Sequence, residues 1–402
     1  MNVVDLLEVI TIVIFSGIIF TKLSRIVKLP DVVMFILAGI ILGPFVLNIV
    51  NIDKYPLGNE LVLTFGAAYI LYDGGREIDF KVLKKVKFSV ASLSTIGVII
   101  SAFITGYFAS IIFKIDFKYA LLLGSVIAST DPSVLVPLFK SLNVGEKLKQ
   151  TIISESAFND AAGAILTFAV LNIITKGTFS INQSIVDLLK TSIGGILIGA
   201  IIGYIATFLV GHKKYAYFEE HPSEMALVAV AGSYVIATRL NVSGFMAVFV
   251  IGMICGNKKM FNLFIPDEYY MTHTRFKEVT TLILRMMIFI LLGTHINFTL
   301  LFKYWKESIL LVATLIFIAR PISAFVSIAF DRKAEWTLKE MIYIMWVRET
   351  GVIPAALSGM LLSKKIPNAD IISSVTFTTI IITLTLQASS AKALAKVLKI
   401  DK

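Results

Sequence analysis

Apolar runs of about 20 residues recur along the whole of this chain, and they constrain its fold before anything else does. Each is long enough to cross a bilayer as a helix. Hydrophobic residues make up 57% of the 402 positions and charged residues 16%, where soluble domains carry about 25% charged. The ~10-residue alternating segments of a membrane β-barrel are absent. The chain therefore reads as an all-α polytopic membrane protein, one membrane domain over 1–402. Thirteen transmembrane helices are predicted, at 5–22, 31–50, 61–78, 88–112, 118–139, 148–175, 184–210, 223–239, 242–256, 277–297, 305–330, 338–362 and 369–391. The longest connection, 257–276, carries Pro266 and mixed charge and reads as an interfacial segment.

Net charge is +10. Its distribution points to membrane topology rather than to nucleic acid. The loops after odd-numbered spans, with the C-terminal tail, hold 24 of the 37 Lys and Arg, and the other side holds 10. The positive-inside rule then puts the N-terminus outside and the C-terminus in the cytoplasm, in the cell's inner membrane. The single cysteine, Cys255, cannot form an intrachain disulfide and reads as a small buried apolar residue.

A weak internal repeat is present. Gly39 to Gly43 in span 2 is echoed by Gly252 to Gly256 in span 9, Asp73-Gly74 in span 3 by Leu292-Gly293 in span 10, and Pro137 by Pro354. The equivalent helices are separated by an odd number of spans. Spans 1–6 and 8–13 thus read as two inverted repeats of six helices, the plan of secondary transporters with midplane sites on interrupted helices.

The costly residues lie in spans 5 and 6. Acids at bilayer depth default to a functional reading, and Asp131, Glu155 and Asp160 fall within thirty residues, with Asn159 among them. Pro132 and Pro137 lack an N–H and clash with the preceding turn, so span 5 must break. The break frees carbonyls near Ala128 and Ser129 beside Thr130 and Asp131. Such an oxygen-rich pocket suits a hard cation, and irregular backbone is tolerated at this depth only where it lines a cavity. In span 6, Ser156, Asn159 and Asp160 fall at i, i+3 and i+4 and share one face. Glu155 points about 100° away from Ser156. It needs a counter-charge, and Arg348 in span 12 is the expected partner.

Physical chemistry then suggests a cycle. A low-dielectric cavity favours a protonated carboxyl, and a nearby Na⁺ or K⁺ favours the carboxylate. Proton and cation compete for Asp160. If the loaded site faces either side in turn, that competition is antiport. Asn159 cannot ionise, which favours electroneutral 1:1 exchange.

Thr130-Asp131-Pro132 followed by Ser154-Glu155-Ser156 and Asn159-Asp160 resembles the monovalent cation/proton antiporter superfamily, in its NhaP-type sodium/proton exchanger branch. The resemblance spans nearly the whole chain. It implies a homodimer, with a scaffold part at 5–80 and 184–300 holding the subunits together. It implies an ion-carrying part at 85–176 and 303–398 that moves like an elevator, with helices 5 and 12 broken and crossing. It implies that Asp160 carries ion and proton, with Thr130, Asp131, Ser156 and Asn159 around it, and with Asp160, Asp131, Thr130 and Ser156 as the Na⁺ (or K⁺) ligands. It also implies that Glu155 and Arg348 form a stabilising pair, that Asp73 lines the passage between the parts, and that Arg320 is a basic residue of the moving part. Glu349 after Arg348 departs from the Arg-Gly-Ala common in relatives.

Other readings are weaker. Arg285 reads as a side chain reaching for headgroups, and His212, His221, His273 and His295 fall in loops or at span ends. A potassium channel would need a carbonyl filter, and none repeats here. An intramembrane enzyme would need a nucleophile–base pair or metal ligands inside the spans, and none is evident. No cofactor is called for. A K⁺/H⁺ antiporter of the same fold is the alternative that survives. The choice among Na⁺, K⁺ and Li⁺ stays open.

Overall fold

The computed structural model describes residues 3–27, 29–51, 54–130, 139, 144–176, 181–296, 298–331 and 333–401. Helices dominate; the one β pairing among the described residues is a bridge between Val144 and Asp401. In chain order the helices are α1 (Val3–Val27), α2 (Asp31–Leu42), α3 (Pro56–Arg76), α4 (80–113), α5 (Phe117–Val126), α6 (Glu146–Lys176) and α7 (Ile181–Gly211). They continue with α8 (Pro222–Arg239), α9 (Gly244–Gly256), α10 (Asp267–Thr294), a single short turn of helix at Phe298–Lys303, α11 (305–328), α12 (Leu338–Trp346), α13 (Val352–Ser363) and α14 (369–397). Six helices among the described residues are long and apolar enough to cross a membrane, within α1, α4, α6, α7, α11 and α14. Large apolar side chains such as Phe15, Ile201, Val228 and Phe317 stand exposed on the outer faces. Because a helix satisfies its backbone hydrogen bonds within itself, such a surface suits lipid.

Several predicted boundaries move. Span 2 was expected to reach residue 50, but α2 ends at Leu42. Gly43-Pro44 stops it, and Ile49 N and Val50 N fold back onto the Leu42 carbonyl at 3.0 and 2.9 Å. The segment expected as interfacial, 257–276, is a 3₁₀ turn (Lys258–Phe261) followed by the first turns of α10, which starts at Asp267 after Pro266. The span expected at 338–362 is two helices with extended backbone at 347–351 between them. Pro354 sits in the first turn of α13, where a missing N–H costs nothing. Helices α4, α11 and α14 each contain one π turn, at Leu93–Gly97, Leu315–Ala319 and Thr383–Ala388.

Glycines set two close helix crossings. A Cβ on Gly39 of α2 would lie 2.1 Å from the Ile290 carbonyl of α10, beside Gly293. A Cβ on Gly252 of α9 would lie 2.1 Å from the Tyr72 carbonyl of α3, beside Gly75. Only glycine lets the backbones approach this far. Helices α3 and α9 also pack on α6, and α3 packs on α13.

Candidate cation and proton site

Helix α5 stops at Val126, after which Ile127 N bonds Leu123 O at 3.1 Å and the chain runs out to Thr130. Asp131 and Pro132 lie outside the described residues. The backbone freed by the break is taken up from two directions. Asn159 of α6 accepts from Thr130 N at 3.0 Å through Oδ1, and its Nδ2 donates to Thr130 Oγ1 at 2.7 Å. Ser156, one turn earlier, donates to the Thr130 carbonyl at 2.7 Å, and its hydroxyl accepts from Thr130 Oγ1 at 3.1 Å. Gly163, one turn past Asn159, makes room for Ser129 against α6. Asp160 is buried beside this cluster on the same helix. The helical phase expected for Ser156, Asn159 and Asp160 is the one observed.

From the other direction comes Arg348. Its Nη2 donates to the carbonyls of Ile127 at 2.7 Å and Ala128 at 2.8 Å. A cation at a helix C-terminus meets orphan carbonyls and the negative end of the helix dipole together. Arg348 itself stands in the break between α12 and α13, so that break is bound to the end of α5.

This corrects the expected pairing. Glu155 is bonded to Arg320 of α11, through Nη1 to Oε1 and through Nη2 to Oε2 at 3.0 Å. Arg320 Nη2 also donates to the Ile344 carbonyl of α12 at 2.9 Å. Arg348 was expected to balance Glu155, and instead holds the end of α5. The pair Glu155–Arg320 ties α6, α11 and α12 with a two-pronged geometry suited to a carboxylate. Glu349, the departure from the family pattern, is fully buried next to Arg348.

The second break is bound by residues that sequence reasoning missed. Gln387, in the π turn of α14, donates to the Trp346 carbonyl at 2.6 Å. Thr383, in the same turn, accepts from Thr350 N at 3.1 Å, as Asn159 does from Thr130 N. An amide inside an apolar span was the available signal for Gln387. Asp73 of α3 is held by Lys277 of α10 at 2.7 Å and by the Thr281 hydroxyl at 3.1 Å, and Lys277 also reaches Glu77 at 3.1 Å. It sits on α3 next to Gly74, whose Cβ position faces Ala157 of α6 at 3.6 Å. Arg285, expected to reach for headgroups, instead pairs with Asp31 at the start of α2, at 3.5 Å. His273 is buried and bonded, not a free loop histidine: its Nε2 is 2.6 Å from Arg76 Nη1 and its Nδ1 is 3.2 Å from Ser223 Oγ. Arginine has only donors, so Nε2 accepts and the ring is neutral.

One helix broken at 347–351, another that ends at Val126 against it, a buried carboxylate and amide beside that end, and an apolar exterior define a polytopic membrane transporter of the interrupted-helix class. The comparisons with known proteins agree. The family model for the transmembrane sodium/hydrogen exchanger matches residues 10–397, and the chain belongs to that family. It is 28% identical over 424 residues to a probable Na⁺/H⁺ antiporter 2 of Methanocaldococcus jannaschii, covering 99% of this chain and 98% of the relative. It is 25% identical to the K⁺/H⁺ antiporter NhaP of Alkalimonas amylolytica, covering 98% of this chain and 67% of the relative. The solved structure of the sodium proton antiporter MjNhaP1 from M. jannaschii at pH 8 superposes with a TM-score of 0.86 at 26% identity, covering 99% of this chain and 100% of that one.

Proposed function

We propose that this protein exchanges Na⁺, or another monovalent cation, for H⁺ across the cytoplasmic membrane. Asp160 carries cation and proton in turn. The observation that carries the reading is the Thr130–Ser156–Asn159 cluster, packed beside buried Asp160 at the end of a broken helix. Thr130, Ser156 and Asp131 supply further oxygens for the cation, and Asn159 orients the site without adding a second ionisable group. On that chemistry exchange is electroneutral, one for one.

The same reading takes in the architecture. Twelve of the thirteen spans form two inverted repeats of six, the N-terminus lies outside, and the C-terminus is cytoplasmic. The crossings support the repeat. Spans 2 and 10 cross at Gly39 and Gly293, and spans 9 and 3 cross at Gly252 and Gly75, the same helix pair exchanged between the two halves. The moving part, 85–176 and 303–398, slides as an elevator against a dimeric scaffold of 5–80 and 184–300. Asp73, on the scaffold side near Ala157, lines the passage.

A K⁺/H⁺ preference is the second reading, favoured by the likeness to a relative named for that exchange. The test is a proteoliposome series. An imposed ΔpH is dissipated by Na⁺, K⁺ or Li⁺ with membrane potential clamped at several values. Cation-dependent dissipation at a rate independent of potential is expected. A rate that follows potential would refute electroneutrality, and no response to any of the three cations would refute antiport.

A further inference from the structure

A cleft of about 360 Å³ opens where the turn between α3 and α4 faces the segment between α9 and α10. Its floor is fixed by Asn257, which donates to the Ile78 carbonyl at 2.7 Å and accepts from Phe80 N at 3.0 Å. Arg76, Lys81, Lys258 and Lys259 line it. The acids along it are engaged elsewhere or at its edge. Glu77 holds Lys277 at 3.1 Å, and Asp79 caps α4 by accepting from Lys81 N at 2.7 Å; Asp267 sits at the N-terminus of α10.

Lys258 is only 8% exposed. Among the described residues, neither it nor Arg76 has a carboxylate at ion-pair distance. Their contacts are uncharged: Arg76 meets the His273 ring, and the Lys258 ammonium stands 4.2 Å over the Tyr270 ring. Burial, then the neighbouring Arg76 charge, lowers the Lys258 ammonium to about 8. A buried charge without a counter-charge is costly, and the cost falls when an anion arrives. The rim of the cleft carries exposed Met260 and Phe264, apolar surface of the kind an acyl chain covers.

We propose that this cleft binds a phosphate-bearing anion between Arg76, Lys258 and Lys259. Arginine clamps such groups in two-pronged fashion and lysine meets them as a point charge. The source is either an anionic lipid headgroup or soluble phosphate. The site is separate from the Asp160 cluster, though Lys277 links Glu77 at its edge to Asp73, and anion binding there does not depend on the proposed exchange.

The test titrates the unfolding midpoint of the purified full chain in a nonionic detergent against three probes: dioctanoyl phosphatidylglycerol, dioctanoyl phosphatidylcholine and inorganic phosphate. A saturable rise with phosphatidylglycerol and none with phosphatidylcholine is expected. Lys258→Met keeps the side-chain length, removes an uncompensated cation and should fold. It should raise the half-saturating concentration about tenfold or more. Lys339→Met, an exposed charge elsewhere, should leave it unchanged. Inorganic phosphate matching the lipid assigns the site to the soluble anion, and a response to lipid alone assigns it to the headgroup. A wild-type chain that responds to neither anion, or equal effects of Lys258→Met and Lys339→Met, would overturn the proposal.

Discussion

Replacing Arg320 with methionine separates the two counter-charge assignments for Glu155. Glu155 is 2% exposed and Arg320 4% exposed. Their paired contacts leave no room for water to substitute when one partner goes. Removing one member of a buried pair costs about 3–5 kcal/mol, because the survivor stays buried and uncompensated. Arg320→Met also strands the Ile344 carbonyl that Nη2 serves. At ~2 cal/mol/K per residue, unfolding entropy for a chain of this length is roughly 0.8 kcal/mol/K, so the midpoint should fall by roughly 4–6 °C. Adding Glu155→Gln to Arg320→Met should recover most of the loss, since both charges are then gone. Adding Glu155→Gln to Arg348→Met should not, because that variant's defect lies at the Ile127 and Ala128 carbonyls. Unfolding in detergent, followed by tryptophan fluorescence, gives all five midpoints. Rescue of Arg348→Met rather than of Arg320→Met would refute the assignment, as would an Arg320→Met midpoint within about 1 °C of wild type.

Two further predictions follow from neighbouring contacts. Gln387→Leu leaves the buried Trp346 carbonyl unserved and should cost about 1–3 kcal/mol; exchange in proteoliposomes should slow with it, and an unchanged midpoint and rate would exclude Gln387 from holding the second break. His273, ahead of the predicted start of its span at 277, is pushed down to about 3 by burial and then by the Arg76, Lys258 and Lys277 charges. The unfolded ring titrates near 6.5, so as pH falls below 6.5 the unfolded chain takes up a proton that the folded chain refuses. Stability present above that pH is lost on the way down to 3, by up to about 1.4 kcal/mol per pH unit. His273→Gln should flatten the acid limb of a midpoint-versus-pH curve between 6.5 and 5; an identical slope would remove His273 as its cause.

Which parts were legible in the sequence follows from how far local rules reach. The i, i+3, i+4 spacing in α6 placed Ser156 and Asn159 on Thr130, because helical phase fixes which residues share a face. The broken span was legible from Pro132 and Pro137, but the Ala128 carbonyl, expected to face the cation pocket, accepts from Arg348 Nη2 at 2.8 Å instead. Phase gives a direction but not what stands across it. Glu155 was correctly turned away from Ser156, yet its partner came from α11, which sequence spacing does not rank against α12. The π turn of α14 was also hidden, since nothing in Thr383 to Ala388 marks it. That turn is what presents Thr383 and Gln387 to the second break. Asp73 was expected to line the passage, with no partner assigned to it, because Lys277, which holds it, lies about two hundred residues later at a span end.

The central claim rests on one carboxyl group. Wild-type protein in proteoliposomes with an imposed ΔpH should dissipate it on addition of Na⁺ or K⁺, and Asp160→Asn, reconstituted to the same level and with an unchanged unfolding midpoint, should not. Cation-dependent dissipation by Asp160→Asn at the wild-type rate would contradict the account.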